Sequence, residues 1–369
     1  MIVQQYVFEK ISPAQKDWEK IEGAYDSSCY QTKKWYTYLK RIGVKPFIVS
    51  ITGKGKLIGY FLGEKIWLGF PIIAAPIGGV GTYSQGLNML HETSEEERLT
   101  IYKELAQWVF KKHYALTLQV DDWQLKRESA RWIPMEDFHH ELIEKFGILY
   151  SFRPTLHVVL GKDEAALWAA TSYSSCKYCV HKAQKLGLYV REVDKYEDIV
   201  RFCEIHYDQL KEVCARKGTR PKLAQQEFRM RALCESLFPD RVMMVECIGK
   251  DENGTEQIMS TGIFCIDKGQ CAYWTGASYQ RYQKYCPNEL MVWEAMRRLN
   301  ERGAGDLNLC GSAGYKLKFG TVYAYVPRLL FAKYSFLATY TERLKLQWRA
   351  IRRNTLDVVV RMVTSIRKR

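Results

Sequence analysis

Apolar residues recur along this chain at helical and strand spacings, and they divide it into two successive runs of elements. The elements predicted in the second half are a strand at 155–160, a helix at 164–186, a strand at 188–193, helices at 196–217 and 223–237, strands at 241–248, 258–266 and 271–276, a helix at 289–302 and a strand at 306–309. Hairpin turns with Asn-Gly and Lys-Gly steps, at 251–254 and 267–270, separate the three middle strands. These three strands are therefore predicted to form an antiparallel meander.

The first half shows a weaker version of the same order. Its predicted elements are an amphipathic segment at 25–41, strands at 46–51 and 57–68, a buried strand running into a Gly-rich loop at 71–83, a helix from the Ser94/Glu97 capping box to about Lys112, a strand at 115–120 and a short helix at 134–145. The candidate apolar anchors of the first segment are Tyr30, Trp35, Tyr38 and Leu39. A turn at 53–55 joins the first two strands.

This order of elements predicts a mixed α/β (α+β) fold of two tandem lobes, each a mostly antiparallel twisted sheet flanked by helices. A length of 369 residues suits two domains of ordinary size. No low-complexity linker interrupts the chain. We expect a first lobe at 1–150, a second lobe at 151–328 and a basic helical tail at 329–369.

Charge changes the picture most at the carboxyl end. The formal net charge is +14, which points to an anionic partner, and residues 341–369 carry nine basic residues against two acidic ones. Apolar residues in this tail recur at three- and four-residue steps: Leu337, Tyr340, Leu344, Trp348, Ile351, Thr355, Val358 and Met362. Such a helix binds an anionic membrane surface, contacts RNA, or packs on the protein's own second lobe.

The amino-terminal residues and the cysteines indicate the cellular compartment. Charged residues, Glu9 and Lys10, occur within the first ten positions, and the pattern of a signal peptide is absent. No apolar run is long enough to cross a bilayer. We therefore expect a cytoplasmic protein with reduced cysteines, possessing at most a peripheral contact with the inner face of the membrane. The pair Cys176 and Cys179, with His181 nearby, has no second pair at matching spacing, so we expect no metal site.

Three stretches resemble the Fem-type aminoacyltransferases (FemAB/FemX-like) and the CelD-like acetyltransferases of the GNAT superfamily. They are a basic helix at 174–187, a Pro-x-x-Leu-x-x-x-x-Ala helix at 287–296, and a strand that leads through Gly and Tyr-Lys to Phe-Gly at 306–320. Cys176, Cys179 and His181 depart from the basic residues that are more usual in the first stretch. The resemblance extends over most of residues 25–325, and the order of the elements in the second half is also that of the GNAT superfamily.

The resemblance implies an acyltransferase that joins an acyl or aminoacyl group to an amine of a cell-envelope or glycan precursor, as in peptidoglycan synthesis. The alternatives are an acyl-CoA-dependent N-acyltransferase of polysaccharide or lipid biosynthesis, and a non-catalytic module that binds membrane or RNA. The implied donor is aminoacyl-tRNA or acyl-CoA, used as a co-substrate, with no tightly bound cofactor. The acceptor is an amine, lipid-linked in the membrane-docking case. The sequence identifies neither substrate, nor the oligomeric state.

Donor-binding candidates follow from charge and from the resemblance. The connection 277–287 contains no glycine, so the backbone cradle with which acetyltransferases hold the pyrophosphate of coenzyme A is missing there. Side chains would hold phosphates instead, and the candidates are Arg281, Lys284, the helix residues Lys177, Lys182 and Lys185, and Tyr315, Lys316 and Lys318 of the last stretch. In the first lobe, the glycines at 78–81 form either a phosphate loop or a plain loop.

Catalytic candidates are few because amine attack on an activated ester needs alignment and oxyanion stabilisation more than acid–base chemistry. The resemblance implies that backbone N–H groups of the last meander strand, near Tyr273 and Gly276, stabilise the oxyanion. Asp306, Glu246 and Tyr273 are the candidate bases. Lys316 is the strongest candidate for contact with the anionic donor.

Overall fold

The computed structural model of the chain describes residues 5–67, 71–74, 86–267 and 269–334. The predicted glycine loop at 78–81 and the tail beyond residue 334 lie outside these ranges. Among the described residues, no helix is both long and apolar enough to cross a bilayer.

The described residues form strands and helices, and most of the predicted elements are among them. The strands are β1 (Tyr6–Ile11), β2 (Pro46–Gly53), β3 (Lys56–Trp67), β4 (Pro71–Ala74), β5 (Leu87–Met89), β6 (Thr117–Asp121), β7 (Arg127–Ser129), β8 (Leu149–Val159), β9 (Tyr189–Glu192), β10 (Val242–Lys250), β11 (Glu256–Cys265), β12 (Gln270–Ser278), β13 (Asp306–Asn308) and β14 (Val322–Ala332). The helices are α1 (Gln15–Glu22), α2 (Lys33–Arg41), α3 (Glu95–Lys112), α4 (Glu141–Lys145), α5 (Glu164–Ala170), α6 (Tyr178–Lys185), α7 (Ile199–Arg216), α8 (Glu227–Leu237) and α9 (Pro287–Glu301).

All these strands join one continuous sheet in the order β1-β2-β3-β4-β6-β14-β8-β13-β12-β11-β10-β9, with β5 on β3 and β7 on β14. The pairs β4–β6 and β12–β13 are parallel, and the other pairs are antiparallel. The predicted meander is confirmed as β10, β11 and β12. The mixed α/β architecture of two successive lobes is also confirmed.

The two lobes share strands at their junction, which the predicted boundaries miss. Strand β14 pairs with β8 on one side and with β6 of the first lobe on the other. The predicted boundaries near residues 150 and 328 therefore fall inside β8 and β14, and residues 329–332 belong to a strand rather than to a helical tail. Local periodicity cannot show this because β14 carries Pro327, which argues against a central strand, and finds its partners far away in sequence.

The long helix predicted at 164–186 is broken. Helix α5 ends at Ala170, a π-helical turn follows at Tyr173–Lys177, and α6 begins at Tyr178. The side chain of Ser172 accepts a hydrogen bond from the backbone N–H of Cys176 at 3.1 Å, while the N–H of Ser172 donates to the carbonyl of Lys318 at 2.9 Å. The break thus attaches this segment to the 3₁₀ turn at Gly314–Phe319.

One hydrophobic core joins the two lobes and holds the last meander strand in place. The predicted anchors Tyr30, Trp35, Tyr38 and Leu39 are buried, and they lie in the same cluster as Trp274 of β12. Burying a large apolar side chain completely stabilises a fold by about 1.5–3 kcal/mol. A core shared in this way fixes the first lobe against the strand that carries Tyr273 and Gly276.

Candidate active site

A pocket opens where β12 and β13 separate. The two strands pair only from Gln270 to Ala272 and from Asp306 to Asn308. Beyond this point β12 continues to Ser278, whereas the segment that follows β13 turns away through Gly314–Phe319. The space between them has a volume of about 300 Å³, and it is lined by Val213, Arg216, Lys217, Tyr273, Gly276, Ala277, Ser278, Gln283, Asn288, Glu289, Val292, Tyr315, Lys318 and Phe319.

A β-bulge in β12 shapes the floor of this pocket. Tyr273 pairs with Phe264 and Thr275 pairs with Ile263, so Trp274 is an extra residue without a partner on β11. Trp274 packs in the core shared by the lobes, and Tyr273 packs on the α9 side of the sheet. The bulge interrupts the β11–β12 ladder beside the pocket.

Gly276 lies against the hydroxyl end of the Tyr273 side chain. A Cβ atom at Gly276 would stand 1.7 Å from the hydroxyl oxygen of Tyr273 and 2.5 Å from Cζ, so only glycine fits. The ring also stacks on Phe264, with 4.8 Å between the ring centroids. Burial, with the nearby Tyr315 and Glu289, raises the pKa of Tyr273 well above its usual value. This shift favours the protonated hydroxyl, which can donate a hydrogen bond, and the role of Tyr273 as a base stays a prediction.

Lys316 lies behind the pocket wall. Its side chain is buried, and Nζ donates to the carbonyl of Leu309 and to that of Cys310 at 3.2 Å. Nζ also lies 5.9 Å from the ring centroid of Tyr273. Burial lowers the pKa of this ammonium group. Lys316 therefore holds the turn after β13 against Tyr273 and contributes positive potential, whereas Lys318 reaches the pocket and pairs with Glu289.

A basic rim at the pocket mouth, beginning with Arg216 and Lys217, was not predicted from the sequence. Arg216 and Lys217, at the end of α7, line the pocket, and the chain continues through the exposed Arg220 and Lys222. Lys217 and Lys222 are close enough to Lys316 to help lower its pKa. The signal was present in the sequence as the run Ala-Arg-Lys-Gly-Thr-Arg-Pro-Lys at 215–222, which joins four cations to turn residues.

The glycine-free connection folds as a 3₁₀ helix, Gln280–Tyr285, followed by Cys286 in the left-handed conformation at φ 61°. Arg281 stacks on Tyr279 and Tyr282, with Cζ at 4.3 and 4.7 Å from the ring centroids. Lys284 pairs with Glu252. Both cations thus lie on the connection that leads to α9, but neither is among the residues that line the pocket.

The remaining basic candidates lie on the segment before and along α6. Lys177 donates to the carbonyl of Ala169 at 3.3 Å and lies over the ring of Trp168. Lys182 is half-buried and Lys185 is exposed. The structure does not bring these three side chains into the pocket lining, so their role in donor binding stays a prediction.

Two of the candidate bases are bound to other side chains outside the pocket. Asp306 accepts from His157 Nδ1 at 2.8 Å and stands level with Gln270, three residues before Tyr273 on the neighbouring strand, which is about 10 Å along the sheet. Glu246 is fully buried between Arg191 and Arg201, at 2.6 and 3.0 Å. Glu289 is the carboxylate that the structure contributes to the described pocket lining, and sequence reasoning did not single it out.

A buried histidine supports the bulge from the opposite face of the sheet. His206 Nδ1 lies 2.7 Å from the hydroxyl of Thr261, which itself donates to Gln209 at 2.6 Å. Nδ1 therefore carries the proton, and Nε2 accepts from the hydroxyl of Thr275 at 3.4 Å. This neutral imidazole ties α7 to β11 and to the residue next to Gly276.

Acid is expected to destabilise the fold through His206. Burial lowers its pKa to about 3, from 6.5. Between pH 6.5 and 3 the unfolded chain therefore binds a proton at this imidazole that the folded chain does not bind. The stability that is present above pH 6.5 is lost as the pH falls towards 3. Urea unfolding measures the unfolding free energy at pH 7 and at pH 4.5. Between these pH values, the fall in unfolding free energy should be roughly 2–3 kcal/mol smaller for His206→Gln than for the parent chain. The exposed control His139→Gln should follow the parent, and an unchanged pH dependence in His206→Gln would contradict the assignment.

Residues 172–317 match a family model described as an acetyltransferase (GNAT) domain. This range contains α6 to α9, the whole meander, and every pocket residue except Lys318 and Phe319. No curated protein sequence matches the chain.

Solved structures share the fold over most of the chain. A crystal structure of FemX superposes with a TM-score of 0.64 at 14% identity, covering 86% of this chain and 96% of that one. A conserved protein of unknown function from Bacteroides thetaiotaomicron has a TM-score of 0.52 at 10% identity, covering 88% and 100%. A tandem GNAT protein from the clavulanic acid biosynthesis pathway has a TM-score of 0.50 at 9% identity, covering 89% and 98%. At these identities the likeness is one of fold.

Proposed function

We propose that this chain, an acyltransferase with a GNAT domain, transfers an aminoacyl or acyl group from an anionic donor to an amine of a cell-envelope or glycan precursor. The observation that carries the proposal is the pocket at the β12 bulge, which is lined by Arg216 and Lys217, is followed in the chain by the exposed Arg220 and Lys222, and adjoins a connection at 277–287 without glycine. The donor is charged tRNA, with acyl-CoA as the alternative. Its phosphates bind the side chains of Arg216, Lys217, Arg220 and Lys222 rather than backbone N–H groups.

In the proposed reaction the acceptor amine attacks the ester carbonyl of the donor in the pocket. Backbone N–H groups of the bulged strand and the hydroxyl of Tyr273 stabilise the oxyanion. The C–O bond to the ribose then breaks, or the C–S bond in the thioester case, as the new amide bond forms. Glu289 takes the proton that the amine loses, and the leaving oxygen or sulfur gains a proton.

Transfer from labelled donors tests the proposal. The full chain is incubated with amine-bearing glycan and lipid-linked envelope precursors and with either charged tRNA or acyl-CoA, and labelled amide is measured. Amide formed from charged tRNA supports the aminoacyl route, and amide formed only from acyl-CoA supports the alternative. If neither donor gives an amide, the proposed transfer to these acceptors is refuted, and retained binding of tRNA or membranes would favour the non-catalytic module. Cytoplasmic location and membrane contact through residues 341–369 stay predictions.

Charge reversal at the rim is expected to lower the affinity for the donor more than it lowers the rate of transfer at saturating donor. An Arg216→Glu/Lys217→Glu variant should bind charged tRNA at least tenfold more weakly in low salt, because each charge-assisted phosphate contact contributes about 1.5–3 kcal/mol. Its affinity should also depend less steeply on salt. Filter binding across a salt series measures both. The control Lys16→Glu/Lys20→Glu makes the same charge change on the exposed face of α1, and an equal loss in both variants would remove the rim from the site.

A further inference from the structure

Two cysteines and a glutamate converge where α6 packs against the start of α9. Cys179 is the second residue of α6, Cys286 immediately precedes α9, and Glu289 lies in the first turn of α9. The two sulfurs and a carboxylate oxygen all lie within 4.8 Å of one another, and all three residues are half-buried. No other such group of ligands occurs in the part of the chain that the structure describes.

The fold assembles this group from distant positions and separates the pair suggested by sequence. Cys176 is fully buried beneath the π-helical turn, whereas Cys179 is turned towards α9. Cys286 has φ 61°, and this left-handed residue ends the 3₁₀ helix immediately before Pro287. The prediction of no metal site was based on Cys176, Cys179 and His181 alone. It could not include Cys286 and Glu289, which lie 107 and 110 positions after Cys179 in the sequence.

We propose that Cys179, Cys286 and Glu289 bind a zinc ion. In a tetrahedral site with Zn–S of about 2.3 Å and Zn–O of about 2.0–2.2 Å, ligand atoms stand about 3.6–3.8 Å apart. The group therefore needs a contraction of at most about 1.2 Å to reach that geometry. Two thiolates favour zinc over magnesium or calcium, which prefer oxygen ligands. Three protein ligands leave a fourth position for water or another small ligand.

The surrounding charges suit this ligand set. Two thiolates and a carboxylate carry three negative charges, of which the ion neutralises two. Lys318 pairs with Glu289, and Lys182 lies on the same helix as Cys179, three residues after it. Both ammonium groups thus balance the remaining charge without supplying a ligand.

Binding would couple the ion to the pocket, because Glu289 belongs to both. The ion would draw the Glu289 carboxylate away from Lys318 and from the pocket wall. Resting on the proposed function, we expect zinc to inhibit acyl transfer. The binding test below does not depend on any transfer activity, so failure of the metal site and failure of the proposed function are distinguishable.

Cobalt replaces zinc as a spectroscopic probe. The full chain, reduced and treated with a chelator that is then removed, is titrated with Co²⁺. We expect one equivalent to produce thiolate-to-cobalt charge-transfer absorption and the intense visible bands of a tetrahedral ion, both abolished by one equivalent of Zn²⁺. Cys179→Ser and Cys286→Ser should each weaken Zn²⁺ binding more than tenfold in competition with a chromophoric chelator, while Glu289→Gln should weaken it but keep the thiolate absorption.

Matched controls make the result decisive. Cys214→Ser changes a half-buried cysteine on α7, and Cys176→Ala removes the neighbouring thiol; both should keep the cobalt spectrum. Absence of thiolate absorption in the parent chain overturns the proposal, as does its persistence in the folded Cys179→Ser/Cys286→Ser variant. Loss of the spectrum in Cys176→Ala, with circular dichroism unchanged, would assign the site to the sequence-adjacent pair and also overturn it.

Discussion

Replacing Gly276 with alanine is expected to lower kcat/KM for acyl transfer about a hundredfold, which is the order of loss that a displacement of about 1 Å in a reacting group produces. The new Cβ would lie 1.7 Å from the hydroxyl oxygen of Tyr273, so the ring must shift from its position stacked on Phe264. The overpacking should also cost about 1–3 kcal/mol of unfolding free energy. Steady-state kinetics and urea unfolding of the same preparation measure the two effects.

A second substitution isolates the contact between Gly276 and Tyr273. In a Tyr273→Ala background the ring is gone, and the added methyl group of Gly276→Ala has room. The two stability losses should therefore be strongly non-additive. Gly269→Ala is the matched control, because a Cβ there meets only the carbonyl oxygen of Ser27 at 3.9 Å. If Gly276→Ala costs the same stability with and without the ring, the proposed packing of Tyr273 on Gly276 is wrong.

Replacing Lys316 with alanine is expected to lower transfer at least tenfold and to destabilise the fold by about 1–3 kcal/mol. From the sequence, Lys316 is the strongest candidate for a direct contact with the donor, and loss of that contact would lower transfer. The structure gives a different cause, because the ammonium group is buried and donates to the carbonyls of Leu309 and Cys310. Its removal leaves these acceptors without their charged donor and releases the turn that holds Tyr315 at the pocket.

Kinetics separates the two explanations for Lys316. A positioning role predicts a fall in kcat together with lower stability in urea, whereas a direct donor contact predicts a rise in KM with unchanged stability. The exposed Lys112 at the end of α3 provides a control, since Lys112→Ala removes the same side chain far from the pocket. Full activity and full stability in Lys316→Ala would contradict both roles.

The sequence predicted the elements whose signals are local. The anchors Tyr30, Trp35, Tyr38 and Leu39 follow helical spacing, and all four are buried. Ser94 caps α3 as the capping box predicts, with its side chain accepting from the N–H of Glu97 at 3.2 Å. Neighbouring residues and standard turns determine these features, so no knowledge of distant contacts is needed.

The candidate site was predicted less completely because its parts come from separated segments. Four of the residues proposed from the sequence line one pocket: Tyr273, Gly276, Tyr315 and Lys318. The rim at Arg216 and Lys217 was missed, although its charges are visible in the sequence. Asp306 was chosen as a base, yet its partner His157 lies 149 positions away and only strand pairing brings them together.

By itself the sequence determined many of the helices and strands, the meander, the buried anchors Tyr30, Trp35, Tyr38 and Leu39 and the lack of glycine at 277–287, because each depends on spacing or composition within a short window. The tertiary structure alone decided that the lobes share one sheet through β14, that Trp274 is bulged, that Tyr273 covers Gly276 and that Cys179 meets Cys286. These features depend on strand register, on the direction of buried side chains and on helix packing. All three are set by contacts between residues far apart in the chain, whose energies no local pattern contains.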